Sequence, residues 1–249
     1  MSLMRTEGLR LTFGGVVAAD DIDFALEEGE RLAVIGANGA GKTTFINICT
    51  GFIRPDAGSV ELDGQDVTGW RPERIAGIGM VRTFQVTQPF AGLTVAENIR
   101  VGAFLHTADP AGAMRTAREL GSRLGLGAFL DRPASALTVA GRKRLEVARA
   151  LATRPKVLLL DEVMAGLNPA EVADVVALVR SVRDGGVTIL LIEHLMQAVA
   201  ALAERAFVLA QGVLIAEGTP RQIATDPQVI EAYLGHGAAE RLQASHADA

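Results

Sequence analysis

Apolar and polar positions alternate through residues 1–35, interrupted by Phe13-Gly14-Gly15 and Glu27-Glu28-Gly29. A period of two broken by glycine turns predicts short strands and hairpins. The run Arg31–Ile35 is apolar enough for a buried strand. A glycine-rich turn follows, then helical spacing over roughly 42–52. Residues 59–62 predict a strand ended by the Asp63-Gly64 turn. From about 86 to 153 the pattern changes. Alanine, leucine and arginine recur at helical spacing over 96–104, 111–124 and 141–153. Residues 156–161 then predict a strand, and 171–184 an amphipathic helix announced by Asn168-Pro169. Residues 186–192 predict a strand, 197–206 a helix, and 207–215 a hairpin around Gly212. The pattern is that of an α/β core with an antiparallel β part and a helical insertion.

Composition narrows the classes. The 249 residues are 49% hydrophobic, enough for a sizeable core. The balance of 24 basic and 29 acidic residues, net -5, argues against general nucleic-acid binding, which needs a basic stripe. The single cysteine, Cys49, rules out an internal disulfide framework and fits a reducing compartment. The apolar runs at 157–160 and 187–192 are far shorter than the roughly 20 residues of a membrane span. They fit strands buried on both faces. The first ten residues lack the apolar stretch of a signal peptide. A role at a membrane therefore requires docking onto another subunit.

Two segments carry chemistry. Gly36-Ala37-Asn38-Gly39-Ala40-Gly41-Lys42-Thr43 fits G-x-x-x-x-G-K-[ST], the phosphate-binding P-loop. Glycines let backbone N–H groups converge on phosphate at a helix N-terminus. Lys42 supplies a cation for the β- and γ-phosphates, Thr43 a hydroxyl for Mg²⁺, and Thr44 extends the cradle. The second segment, Val157-Leu158-Leu159-Leu160-Asp161-Glu162, is an apolar strand ending in two carboxylates, similar to a Walker B segment. Neighbouring strand residues point to opposite sides, so the two acids need not share a proton. Asp161 is suited to orient Mg²⁺, and Glu162 to polarise the attacking water. The 119 positions from Lys42 to Asp161 exceed what a simple crossover needs, so the insertion lies between them.

Over residues 3–235 the chain resembles the ATPase subunits of ABC transporters. Arg82-Thr83-Phe84-Gln85 resembles the family's Q-loop, and Leu137-Thr138-Val139-Ala140-Gly141 stands where its LSGGQ signature belongs. Gly166-Leu167-Asn168-Pro169 resembles the D-loop, and Ile192-Glu193-His194 the switch-histidine segment. The signature departs from the pattern: Thr138 replaces serine, Ala140 replaces glycine, and Gly141 stands in place of glutamine. Phe13 aligns with the aromatic residue that stacks on adenine.

The resemblance implies the ABC ATPase fold: a P-loop NTPase core, an antiparallel β part and a helical subdomain at about 86–153. It implies one domain over 1–235, with 236–249 as a flexible tail. It implies ATP and Mg²⁺ as cofactors, with Gln85 also serving the metal and His194 assisting hydrolysis. Partners would be a second ABC ATPase subunit, transmembrane permease subunits and, indirectly, a solute-binding protein, at the cytoplasmic face of the membrane. Two subunits would sandwich two ATP molecules head to tail, with Thr138, Val139, Ala140 and Gly141 facing the partner's γ-phosphate. Phe13-Gly14-Gly15, the stretch 77–85, Glu217-Gly218-Thr219-Pro220 and the ending at 229–235 resemble importers of branched-chain amino acids. Urea and amide importers share much of this pattern, and lipopolysaccharide exporters less of it. A non-transport ABC ATPase would carry a coiled coil, tandem ATPase or basic extension. A P-loop kinase would leave the signature segment without a role. The segment 86–106, with Pro89, Phe90, Leu93 and Val95, is the expected permease dock. The run Arg142-Lys143-Arg144 is expected on a helix face, and His106, His236 and His246 in solvent.

Overall fold

The computed structural model describes residues 2–84 and 89–234. They form two compact units, residues 2–71 with 190–234, and residues 72–189.

The first unit begins with β1 (Ser2–Phe13) and β2 (Val16–Glu27), an antiparallel pair turning at Gly14-Gly15. These strands are twelve residues each rather than short. Register shifts along the pair let the strands run on through positions where a strict alternation fails. Next come β3 (Arg31–Ile35), α1 (Lys42–Cys49), β4 (Ala57–Leu62) and β5 (Gln65–Asp66). One sheet has the order β2-β1-β4-β5.

The second unit contains α2 (Pro72–Gly77), β6 (Met80–Arg82), α3 (Val95–Ala103), α4 (Pro110–Arg123), α5 (Val139–Ala152), β7 (Val157–Asp161) and α6 (Pro169–Asp184). The chain returns to the first unit through β8 (Thr188–Ile192). There it adds α7 (Met196–Leu202), β9 (Arg205–Ala210), β10 (Val213–Gly218), α8 (Pro220–Thr225) and α9 (Pro227–Leu234).

In the first unit β3 pairs parallel with β9, and β9 antiparallel with β10. Phe45 of α1 meets Phe24 of β2 edge-on at 5.1 Å, and Phe24 meets Phe207 of β9 at 5.0 Å. These rings anchor α1, whose first turn carries Lys42 and Thr43. Truncating a ring buried like Phe45 costs about 3–5 kcal/mol. The helix α7 stops at Leu202, short of the predicted 206, because Arg205 and Ala206 pair with Leu32 and Ala33. Strand pairing there outweighs the helical propensity of an alanine-rich stretch.

In the second unit β6 and β7 pair parallel, Met80 with Val157 through Arg82 with Leu159. Helix α3 starts from a reciprocal cap between Thr94 and Glu97. Helix α5 starts at Val139, two residues earlier than its spacing suggested. Thr138 is its N-cap, and its hydroxyl accepts the Gly141 N–H at 3.2 Å.

Candidate functional site

The P-loop joins β3 to α1 in the first unit. Gly36 is buried, and a Cβ there would stand 2.3 Å from the Leu209 carbonyl oxygen. Gly41 has φ 103°, and a Cβ would meet Ala18 O at 2.7 Å. Both positions need the missing side chain. Between them Ala37, Asn38 and Gly39 are exposed, and Ala40 N–H donates to Ala37 O at 3.1 Å. Gly212 N–H donates to Ala40 O at 3.0 Å, and Asp20 N–H to Gly212 O at 2.9 Å. The β9–β10 turn thus braces the loop against β2. Helix α1 has no side-chain cap at Gly41, which leaves its first-turn amides for an anion.

Lys42 is 6% exposed, and its ammonium donates to Gly36 O at 2.7 Å and Ala37 O at 3.0 Å. The loop's own carbonyls hold this cation at its mouth. Thr43 is exposed at the start of α1, and Thr44 half-buried. The exposed turn, the uncapped amides and the gathered ammonium fit a polyphosphate. A cleft of 580 Å³ flanks the turn, lined by residues 37–40, Gln211, Ile215 and α9. Lys42, Thr43 and Phe13 do not line it. Phe13 ends β1 opposite Val16 and is 49% exposed, so its ring is open to a stacking partner. His194 lies two residues past the end of β8 and is exposed.

In the second unit, Asp161 ends β7. It is buried, and its Oδ2 accepts from the Arg82 guanidinium at 2.7 Å. Burial raises the Asp161 pKa above the usual carboxylate range, while Arg82 pulls it back down. Burial likewise lowers the guanidinium pKa of Arg82. Glu162 is half-buried with φ 46°, in the left-handed region at the strand's end. Its carbonyl accepts from Lys143 Nζ at 3.2 Å and from Ala165 N–H at 3.1 Å. Lys143 is therefore buried rather than on an open helix face. At the start of α5, Thr138 and Val139 are exposed, Ala140 and Gly141 half-buried. Asn168 caps α6 by accepting from Ala170 and Glu171 N–H, both at 3.0 Å. Gln85 and Val86, like His236 and His246, lie outside the described residues.

Three residues just before Gln85 are tied on both sides. Thr83 N–H donates to Leu159 O at 2.9 Å, and Thr83 Oγ1 accepts from Asp161 N–H at 3.1 Å. Phe84 N–H donates to Glu146 Oε1 at 2.6 Å. Burial raises the Glu146 pKa, against the pull of that N–H and of Arg149 and Lys143. Sequence reading gave Arg82 and Thr83 no individual role and passed over Glu146. No local signal links Arg82 to a partner 79 positions away.

Among the described residues no three His, Cys, Asp or Glu side chains cluster to hold a metal. The Thr43 hydroxyl in the first unit and the Asp161 carboxylate in the second are each a hard oxygen ligand of the kind Mg²⁺ uses beside phosphates and water. In the expected docking segment Phe90 is 47% exposed with the Arg149 guanidinium 5.1 Å from its ring centre. Leu93 is half-buried, and Val95 is fully buried and belongs to the core.

Comparison with known proteins gives the family. A family described as ABC transporter matches residues 19–165. A second, described as branched-chain amino acid ATP-binding cassette transporter, matches residues 213–239. The chain is 40% identical to the high-affinity branched-chain amino acid transport ATP-binding protein BraF of Pseudomonas aeruginosa, over 94% of this chain and 98% of that one. It is 39% identical to LivG of Escherichia coli K12, which carries the same description, over the same shares. The solved ATP-binding cassette MJ1267 in its ADP conformation superposes with a TM-score of 0.86 at 32% identity. That match covers 95% of this chain and all of the other.

Proposed function

The chain belongs to the ABC transporter ATPase family, and we propose that it is the ATP-hydrolysing subunit of an importer of branched-chain or other hydrophobic amino acids. The observation that carries the substrate class is the match of residues 213–239 to the branched-chain cassette family, beyond the general ATPase match.

The residues act as follows. Phe13 stacks on the adenine. The amides of Gly36 to Gly41 and the Lys42 ammonium bind the phosphates. Thr44 supports them from the first turn of α1. Thr43, Gln85 and Asp161 hold Mg²⁺, which when bound neutralises charge on the phosphates. Glu162 orients and polarises the attacking water, and His194 assists at the γ-phosphate. Catalysis of this kind is mostly positioning and charge stabilisation.

A second ATPase subunit, identical or related, packs head to tail. Its Thr138, Val139, Ala140 and Gly141 face the γ-phosphate bound by the first. The exposure of Thr138 and Val139, 55% for the latter, at the start of α5 supports this, since a helix N-terminus attracts an anion. No helix among the described residues is long and apolar enough to cross a membrane. Membership of the transporter family supports a place at the cytoplasmic face, docked on permease subunits, with a solute-binding protein delivering substrate from the far side. Residues 1–235 act as one ATPase domain with a helical subdomain at about 86–153; the expected tail at 236–249 lies outside the described residues.

The test is co-purification with the permease, followed by an ATPase assay in proteoliposomes. Leucine, isoleucine or valine with the solute-binding protein should stimulate hydrolysis. Stimulation by urea or short amides instead would move the substrate class. A phosphorylated small-molecule product would overturn the transport reading.

A further inference from the structure

The ion pair between Arg82 and Asp161 has no place in the roles above. It is nearly sealed: the side chains are 8% and 7% exposed. The guanidinium reaches Oδ2 at 2.7 Å, and its Nε donates to Thr83 O at 3.3 Å. Its carbon lies 4.9 Å from the Phe84 ring centre. The backbone beneath it is pinned by Thr83 to β7 and by Phe84 to Glu146 of α5. These bonds oppose a backbone shift at Arg82. Other charged groups bear on the pair: Glu162 and Lys143 on the Asp161 side, and Glu146 on both partners.

A buried carboxylate that is to receive a divalent cation needs a counter-charge while the cation is away. Arg82 supplies it. An ion pair on Oδ2 also reduces the negative charge that the same carboxylate can offer a second cation. We infer that Arg82 is a resident counter-ion of Asp161, a positioning residue that holds the carboxylate in place and competes with Mg²⁺ for its charge, so that it sets the cation concentration at which nucleotide binds. This rests on the proposal that Asp161 helps to hold Mg²⁺.

The experiment uses the full chain and a fluorescent ATP analogue that is not hydrolysed. Binding is followed while Mg²⁺ is titrated, with an EDTA baseline. Arg82→Gln removes the charge and keeps a polar side chain. It should lower the Mg²⁺ concentration at half-saturation by about tenfold and leave binding in EDTA unchanged, because the competing charge acts only on the cation. Arg82→Lys keeps a charge but pairs less closely, and should shift the same way by about two- to threefold. An unchanged or raised Mg²⁺ requirement in Arg82→Gln overturns the inference. If that variant does not fold, the same result in Arg82→Lys overturns it. Wild-type binding indifferent to both Mg²⁺ and Asp161→Asn would instead sink the proposed role of Asp161.

Discussion

Replacing Lys42 by alanine separates two roles that the P-loop combines. In the free chain the ammonium is 6% exposed and bonded to Gly36 O and Ala37 O. Its loss removes charge-assisted hydrogen bonds but also a buried charge, and these offset, so the fold should change by only about 0–2 kcal/mol. Nucleotide binding has no such offset. A charge-assisted contact to phosphate contributes about 1.5–3 kcal/mol, so affinity should fall roughly 10- to 150-fold. Thermal unfolding reads both effects. At a nucleotide concentration about 100 times the dissociation constant, wild type gains about 2.7 kcal/mol. For a chain of this length that is about 5–10 °C in Tm. In Lys42→Ala, with affinity down about 100-fold, the same concentration gives about 0.4 kcal/mol, a shift of roughly 1 °C. A variant that keeps the full MgATP shift would refute the assignment of Lys42 to the phosphates.

Glu162→Gln should bind ATP normally, accumulate a closed dimer, and hydrolyse on the order of 10²- to 10⁴-fold more slowly; undiminished turnover removes Glu162 from the catalytic role. Thr138→Arg, assayed in mixed dimers, should silence the site whose P-loop lies in the other chain, and damage confined to the mutated chain's own P-loop would refute head-to-tail packing. Phe90→Asp should leave the isolated chain folded and able to bind nucleotide, since the ring is 47% exposed, yet lose it from the membrane fraction; continued co-purification with the permease excludes this surface. Glu146 gives a pH signature. Its folded pKa is raised by burial above the ordinary 4.5, so its contribution to stability is full below that value and is lost as pH rises through the raised one. Glu146→Gln cannot ionise and still accepts from Phe84 N–H, so its Tm relative to wild type should climb as pH rises through that window, and a difference flat in pH counts against it.

Much of the fold is legible from the chain because its signals are local. Arg31–Ile35 and the strand ending at Asp161 read as buried strands from composition alone. Asn168-Pro169 and the turn at Gly212 announce themselves. Elements fixed by distant partners do not. The end of α7 depends on Arg205 and Ala206 pairing with β3, and the inward turn of Lys143 depends on the Glu162 carbonyl. The candidate site divides the same way. The P-loop is contiguous, so its residues name one another. Arg82, Thr83 and Glu146 act across gaps of 62 to 79 positions, which no motif spans.

On the role proposed for Glu162, its left-handed backbone sets stability against turnover at a single position. A side chain held at φ 46° costs about 1–2 kcal/mol that glycine would not incur. Glycine at 162 would therefore relax the end of β7 while deleting the carboxylate. Directed evolution for heat resistance alone would reward that replacement and, on the proposed role, yield a sturdier, inert subunit. With the role proposed for Glu162, the lost turnover would outweigh the relaxed backbone, and a glutamate would stay in a conformation better suited to a residue with no side chain.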